Sequence, residues 1–143
     1  MATLEKAIQI AVSAHQGQKD KAGAIYILHP LRLMLRMETE EERVAAVLHD
    51  VIEDTSWTLT DLRKEGFSEN VIKTVDYLSR RQSETFEEYI DRLKNDPMAR
   101  KIKIADLEDN MDLKRLGSLT QIKTKKLAQL HNSWVLLKEI DKS

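Results

Sequence analysis

The chain has 143 residues, no cysteine, two prolines and four glycines, with 33% charged and 5% aromatic residues and a net charge of −1. That length suits one domain with a real core, and the lack of cysteine excludes disulfides, thiolate metal sites and a cysteine nucleophile. The near-neutral charge gives no case for wholesale nucleic-acid binding. No apolar run approaches the ~20 residues of a bilayer span and no segment resembles a signal peptide, so a soluble cytoplasmic protein is expected.

Helical periodicity runs from end to end. Leu4, Ala7, Ile8, Ala11 and Ala14 recur at three- and four-residue steps behind Thr3, a natural N-cap. Pro30 is tolerated in a first helical turn, so His29 should begin a helix carrying Leu31, Leu33, Met34 and Leu35. Thr39-x-x-Glu42 reads as a capping box opening a helix that runs through His49 towards Asp54. A short helix from Thr58 to Glu65 closes at Gly66, and Ser68 caps the segment reaching Leu78. After the polar loop 79–84, Thr85-x-x-Glu88 starts a helix with Phe86, Tyr89, Ile90 and Leu93. Pro97 interrupts again. Met98 to about Leu116 then carries Asp106, and Gly117 precedes a last helix from Thr120 to about Ile140. Its apolar stripe is Ile122, Leu127, Leu130, Trp134, Val135 and Leu137. No repeat or long linker divides the chain, so the expectation is one compact all-α domain over residues 1–143.

The chemistry concentrates at His49-Asp50, inside an otherwise apolar stretch. Burying that pair is costly unless something compensates it, and a divalent metal suits a mixed imidazole and carboxylate set. His29 and Asp106 are further candidates. On one continuous helix, His49 with Glu53 and Asp50 with Asp54 would each share a face, and Asp106 with Asn110 repeats the spacing. Each residue has a plainer reading. His29 can cap a helix, Asp50 can cap or salt-bridge, Asp106 can pair with Lys103 or Lys101, and Glu53 and Asp54 can face solvent. Their order and apolar settings together favour a metal site, with His131 outside it, structural or exposed. Two imidazoles and two carboxylates suit Mn²⁺, Fe²⁺ or Zn²⁺ better than Mg²⁺.

The pattern His29…His49-Asp50…Asp106 is the signature of the HD phosphohydrolase superfamily. The segments His15 to Pro30, Leu48 to Thr55 and Lys103 to Met111 resemble motifs of the RelA/SpoT-type alarmone hydrolases, a branch of it, in a small stand-alone form. The resemblance implies an all-helical bundle of the HD type that binds Mn²⁺. It also implies removal of the 3′-pyrophosphate of guanosine tetra- or pentaphosphate, with metal-activated water as nucleophile. Carried over by position, His29, His49, Asp50 and Asp106 are metal ligands, and Glu53 and Asp54 orient and activate water. Lys21 lies near the nucleotide and Asn110 near the ribose. His15 is structural, and Gly23 is a turn glycine.

Two positions depart from that pattern. Asp20 stands where the family has an arginine against guanine, and Asp112 stands where it has another arginine. Either Lys19, Arg32, Arg100, Lys101 or Lys103 compensates, or the substrate differs. The alternatives are an HD phosphohydrolase acting on a nucleoside monophosphate or another phosphorylated nucleotide, and a non-catalytic nucleotide-binding module. A homo-oligomer stays open, with the last helix able to pack on its own core or on a second subunit.

Overall fold

The computed structural model describes residues 2–142. Its helices are α1 (Leu4–Ala14), α2 (Leu28–Leu35), α3 (Glu40–Leu48), α4 (Val51–Asp54), α5 (Leu59–Lys64), α6 (Glu69–Leu78), α7 (Phe86–Leu93), α8 (Pro97–Asn110) and α9 (Thr124–Asp141). Two 3₁₀ turns, Leu113–Arg115 and Leu119–Gln121, lie between α8 and α9. Among the described residues the only β pairing is an isolated bridge between Lys19 and Ile25, so the fold is all-α. Among them, too, no helix is long and apolar enough to cross a membrane.

Local chemistry sets most helix starts. Thr39 with Glu42, Thr58 with Asp61 and Thr85 with Glu88 form complete capping boxes for α3, α5 and α7. Thr3 and Ser68 accept amides at the starts of α1 and α6. Gly66 closes α5 at φ +93°, a conformation that a side chain disfavours.

Three boundaries differ from the sequence expectation, each for a local reason. The helix opening at Thr39 stops at Leu48 and restarts at Val51. There the Ala46 carbonyl accepts from the His49 amide at 3.3 Å and the His49 ring Nδ1 at 2.7 Å, a side-chain bond that competes with the helical ladder. Helix α8 ends at Asn110 rather than near Leu116, because Asp112 caps a 3₁₀ turn and Arg115 reaches back to the Asp109 carbonyl at 2.8 Å. Helix α9 starts at Thr124 rather than Thr120, because Ser118 and Gln121 box a second 3₁₀ turn. Ile122 is therefore buried in extended backbone before the helix, and Val135 leaves the predicted stripe, 40% exposed.

Helix α8 is the shared spine. Ala99, Ile102 and Ala105 enter a core with α1, α2, α3 and α6, whereas Ile104 and Leu107 enter a second one with α7 and α9. A helix buried on two sides shows no single apolar stripe, and each fully buried Leu or Ile in it contributes roughly 1.5–3 kcal/mol. Its start is anchored by Asp96, whose Oδ2 accepts from the Ala99 amide at 2.9 Å and the Thr74 hydroxyl at 3.1 Å. Asp96→Ala should cost about 1–2 kcal/mol through the lost cap. Urea unfolding would measure it, and an unchanged midpoint would contradict this anchoring.

Candidate metal centre and active site

Three segments deliver the candidate ligands. The first turn of α2 carries His29, the turn between α3 and α4 carries His49 and Asp50, and the third turn of α8 carries Asp106. One ligand atom from each lies within 4.8 Å of all the others, and the two imidazole centroids are 5.4 Å apart. His29, His49 and Asp106 are buried and Asp50 nearly so.

Hydrogen bonding fixes which atoms face inward. A carbonyl only accepts, so His49 Nδ1 donates to Ala46, which leaves the Nε2 lone pair directed at the carboxylates. That Nε2 is buried without a hydrogen-bond partner; Asp50 Oδ2 approaches it to 2.9 Å, but out of hydrogen-bonding line. The contact is electrostatic. The carboxylates there call for positive charge, which either a proton on Nε2 or a shared cation in its place supplies.

His29 repeats the arrangement. Its Nδ1 lies 2.6 Å from Asp109 and its Nε2 2.7 Å from Asp106. With Nδ1–H given to Asp109, Nε2 faces Asp106, where a metal could take the place of the proton between them, the carboxylate–histidine device that orients metal ligands in general. Asp109 is itself clamped by two 2.8 Å bonds from Arg32. Asp106 accepts from Lys103 at 2.8 Å and from Asn110 at 3.3 Å, and Asp50 from the Tyr26 hydroxyl.

The electrostatics show a cluster that attracts positive charge. Burial disfavours a charged His29, yet its bonds to Asp106 and Asp109 push its pKa up to about 8. Burial opposes charging His49 as well, but Asp50 and Asp106 raise it well above its ordinary value. Burial favours protonating Asp50 and Asp106. The His49 charge nonetheless holds Asp50 down at about 2, and Lys103 with the two rings keeps Asp106 well below the usual carboxylate range. The donor set therefore fits a divalent cation.

A cavity of about 390 Å³ opens over the cluster, lined also by Lys21, Glu53, Asp54 and Asn110. Glu53 is fixed by the Arg80 amide, which donates to its Oε1 at 2.7 Å. At the exposed end of α4, desolvation and the charges of Asp50 and Glu53 push Asp54 up to about 6. His15 stands outside the cluster as a support. Its Nδ1 lies 2.9 Å from Gln18, whose side-chain amide donates to the Asp54 carbonyl at 3.1 Å. His131 is exposed and stacks on Trp134.

The two anomalous aspartates prove to be engaged. Asp20 Oδ1 accepts from the amides of Ala22 and Ala24 at 2.9 and 3.0 Å, organising the turn that Gly23 completes at φ +88°. Asp112 pairs with Arg115 at 3.1 Å. Of the proposed compensating bases, Lys19, Arg32 and Lys103 line the cavity. Arg100 and Lys101 do not, because they pair with Asp141 and with Glu38 and Glu42 on other faces. Sequence reasoning missed Tyr26 and Asp109 as site residues. Both sit three positions from a candidate ligand, and such spacing alone is common.

The chain is 33% identical to a guanosine-3′,5′-bis(diphosphate) 3′-pyrophosphohydrolase of Aquifex aeolicus over 138 residues, 88% of this chain and 19% of that protein. It is also 33% identical to the bifunctional (p)ppGpp synthase/hydrolase SpoT of Escherichia coli, over 88% of this chain and 20% of that one. The chain is thus similar to one region of these RelA/SpoT-type proteins. It spans about one fifth of the length of these curated relatives. A solved structure of a metazoan SpoT orthologue, described as hydrolysing ppGpp, matches the chain with a TM-score of 0.73 at 24% identity. That match covers 99% of this chain and 95% of the other and carries the fold. No protein-family model matches the chain.

Asp109 makes the orientation of His29 testable. Asp109→Asn should lower metal affinity by about 10–100-fold, as loss of a ligand's supporting carboxylate does elsewhere. Competition with a chromogenic chelator measures this, and wild-type affinity in the variant would contradict the assignment.

Proposed function

We propose that this chain is a metal-dependent phosphohydrolase that removes the 3′-pyrophosphate of guanosine tetra- or pentaphosphate. The observation that carries the reading is the convergence of His29, His49, Asp50 and Asp106 at the floor of a cavity that also holds Glu53 and Asp54. In this reading the four converging residues hold the ion, with Mn²⁺ the first candidate and Fe²⁺ or Zn²⁺ the alternatives. When bound, a divalent ion there supplies Lewis-acid polarisation of a phosphoryl oxygen and lowers the pKa of a coordinated water.

The chain's own groups divide the remaining work. Glu53, held by the Arg80 amide, orients the attacking water. Asp54, with a pKa near 6, accepts its proton close to neutral pH. Lys21 offsets phosphate charge at the rim, and Asn110, bound to Asp106, presents its amide to the sugar side. Leu116, Ile122 and Leu130 give the same cavity an apolar wall suited to a base. The charges of Asp20 and Asp112 do not oppose this substrate freely, because backbone amides and Arg115 already hold them. The water-activating pair also favours an enzyme over a nucleotide sensor.

With guanosine tetraphosphate and added Mn²⁺, wild type should release pyrophosphate. Orthophosphate release from a mononucleotide alone would transfer the assignment to another HD activity, and tight nucleotide binding without turnover would favour the sensor. His49→Ala should lose both metal and activity, whereas Glu53→Gln should keep metal and lose at least about 100-fold in kcat. Full activity in both variants would contradict the site. Because Asp54 accepts protons only when ionised, kcat/KM should fall on an acid limb at or below about pH 6. Asp54→Asn should abolish that limb along with most activity.

A further inference from the structure

Three cations gather around one buried aromatic ring beside the catalytic cluster. The Arg80 guanidinium, the Lys103 ammonium and the Lys126 ammonium lie 5.9, 5.9 and 4.9 Å from the Phe86 centroid. Lys103 is neutralised by Asp106 at 2.8 Å. The other two are not. The Arg80 guanidinium donates to the Glu84 main-chain carbonyl, which carries no charge, and Lys126 forms no ion pair among the described residues. The ring attracts these cations without cancelling their charge.

All three line the same cavity as the His/Asp cluster, together with Lys21, whose ammonium also has no acidic partner among the described residues. Desolvation and the charges of Lys103, Lys21 and Arg80 push the Lys126 pKa down, outweighing the opposing pull of Asp106. The cavity is thus bipolar, with carboxylates at the cation-attracting floor and surplus positive charge on the wall built from α9, α7 and the loop before α7. A ligand matched to both poles carries anionic groups at two separated points. One approaches a metal at the floor, and the other meets the basic wall directly.

We propose that Lys126 and Arg80 at the Phe86 ring, with Lys21 on the same cavity lining, form a second phosphate subsite that holds the 5′-diphosphate of the nucleotide. This rests on the alarmone reading for the identity of the ligand but not for the anion-binding chemistry. Lys126 comes from the C-terminal helix, outside every segment that carries the motif resemblance. The subsite would thus make α9 part of substrate recognition as well as of the core.

Guanosine diphosphate, which carries the 5′-diphosphate without the 3′-pyrophosphate, is the probe, with guanosine as its uncharged control. Calorimetric titration of the full, Mn²⁺-loaded chain should show guanosine diphosphate affinity about tenfold weaker in Lys126→Gln, the loss of one charge-assisted hydrogen bond. Lys126→Arg should restore most of it, and guanosine binding should match wild type in both variants. Equal guanosine diphosphate affinity in wild type and Lys126→Gln, or an equal loss for guanosine, would overturn the subsite. Lys126-dependent binding in a protein that never hydrolyses guanosine tetraphosphate would sink the proposed reaction while leaving the subsite standing. Intact hydrolysis with Lys126-independent binding would do the reverse.

Discussion

Two carboxylates and two imidazoles confined within 4.8 Å impose a demand that the rest of the fold has to meet. Buried anions repel one another and have lost their water, so they must be paired, hydrogen-bonded or bridged by a cation. The neighbours meet only part of the demand. Lys103 and Asn110 bind Asp106, Tyr26 binds Asp50, and His49 Nε2 keeps no hydrogen-bond partner. His29 Nε2 meets Asp106 at 2.7 Å, and both ring nitrogens converge with the carboxylates on one point, an arrangement that ring protons or a shared divalent ion stabilises.

That demand explains features that would otherwise look like irregularities. The helix break at His49 lets the ring donate backwards to Ala46 and aims its other nitrogen inward. Helix α8 is buried on two sides because it carries Asp106 between two apolar cores, and its Asp96 cap sets where the turn bearing Asp106 and Asp109 falls. Arg32 and Arg115 hold Asp109, which in turn orients His29. The support reaches from the candidate ligand atoms out to the protein surface, and it leaves Glu53 and Asp54 of α4 lining the cavity.

Much of this is legible in the sequence because it rests on local chemistry. Capping boxes announce α3 and α7, and Pro30 marks the start of α2. His29, His49, Asp50 and Asp106 could be named together because their residue types and order are distinctive. What was not legible depends on tertiary contact. Nothing near Asp109 in the chain says that it meets His29, 80 residues away. Asp20 looks like a misplaced charge until its carboxylate is seen binding the amides of its own turn. Lys126 reads as one more solvated lysine on an amphipathic helix, and only packing brings it over Phe86. The boundary at Asp50 was misread because helical periodicity continues across it, while a histidine ring bond interrupts the ladder.

The most direct test of the central claim is anomalous diffraction at the manganese edge from crystals grown in Mn²⁺. The account predicts one strong peak within bonding reach of His29 Nε2, His49 Nε2, Asp50 and Asp106. A manganese peak elsewhere in the molecule, with none among these four side chains at saturating Mn²⁺, would contradict it.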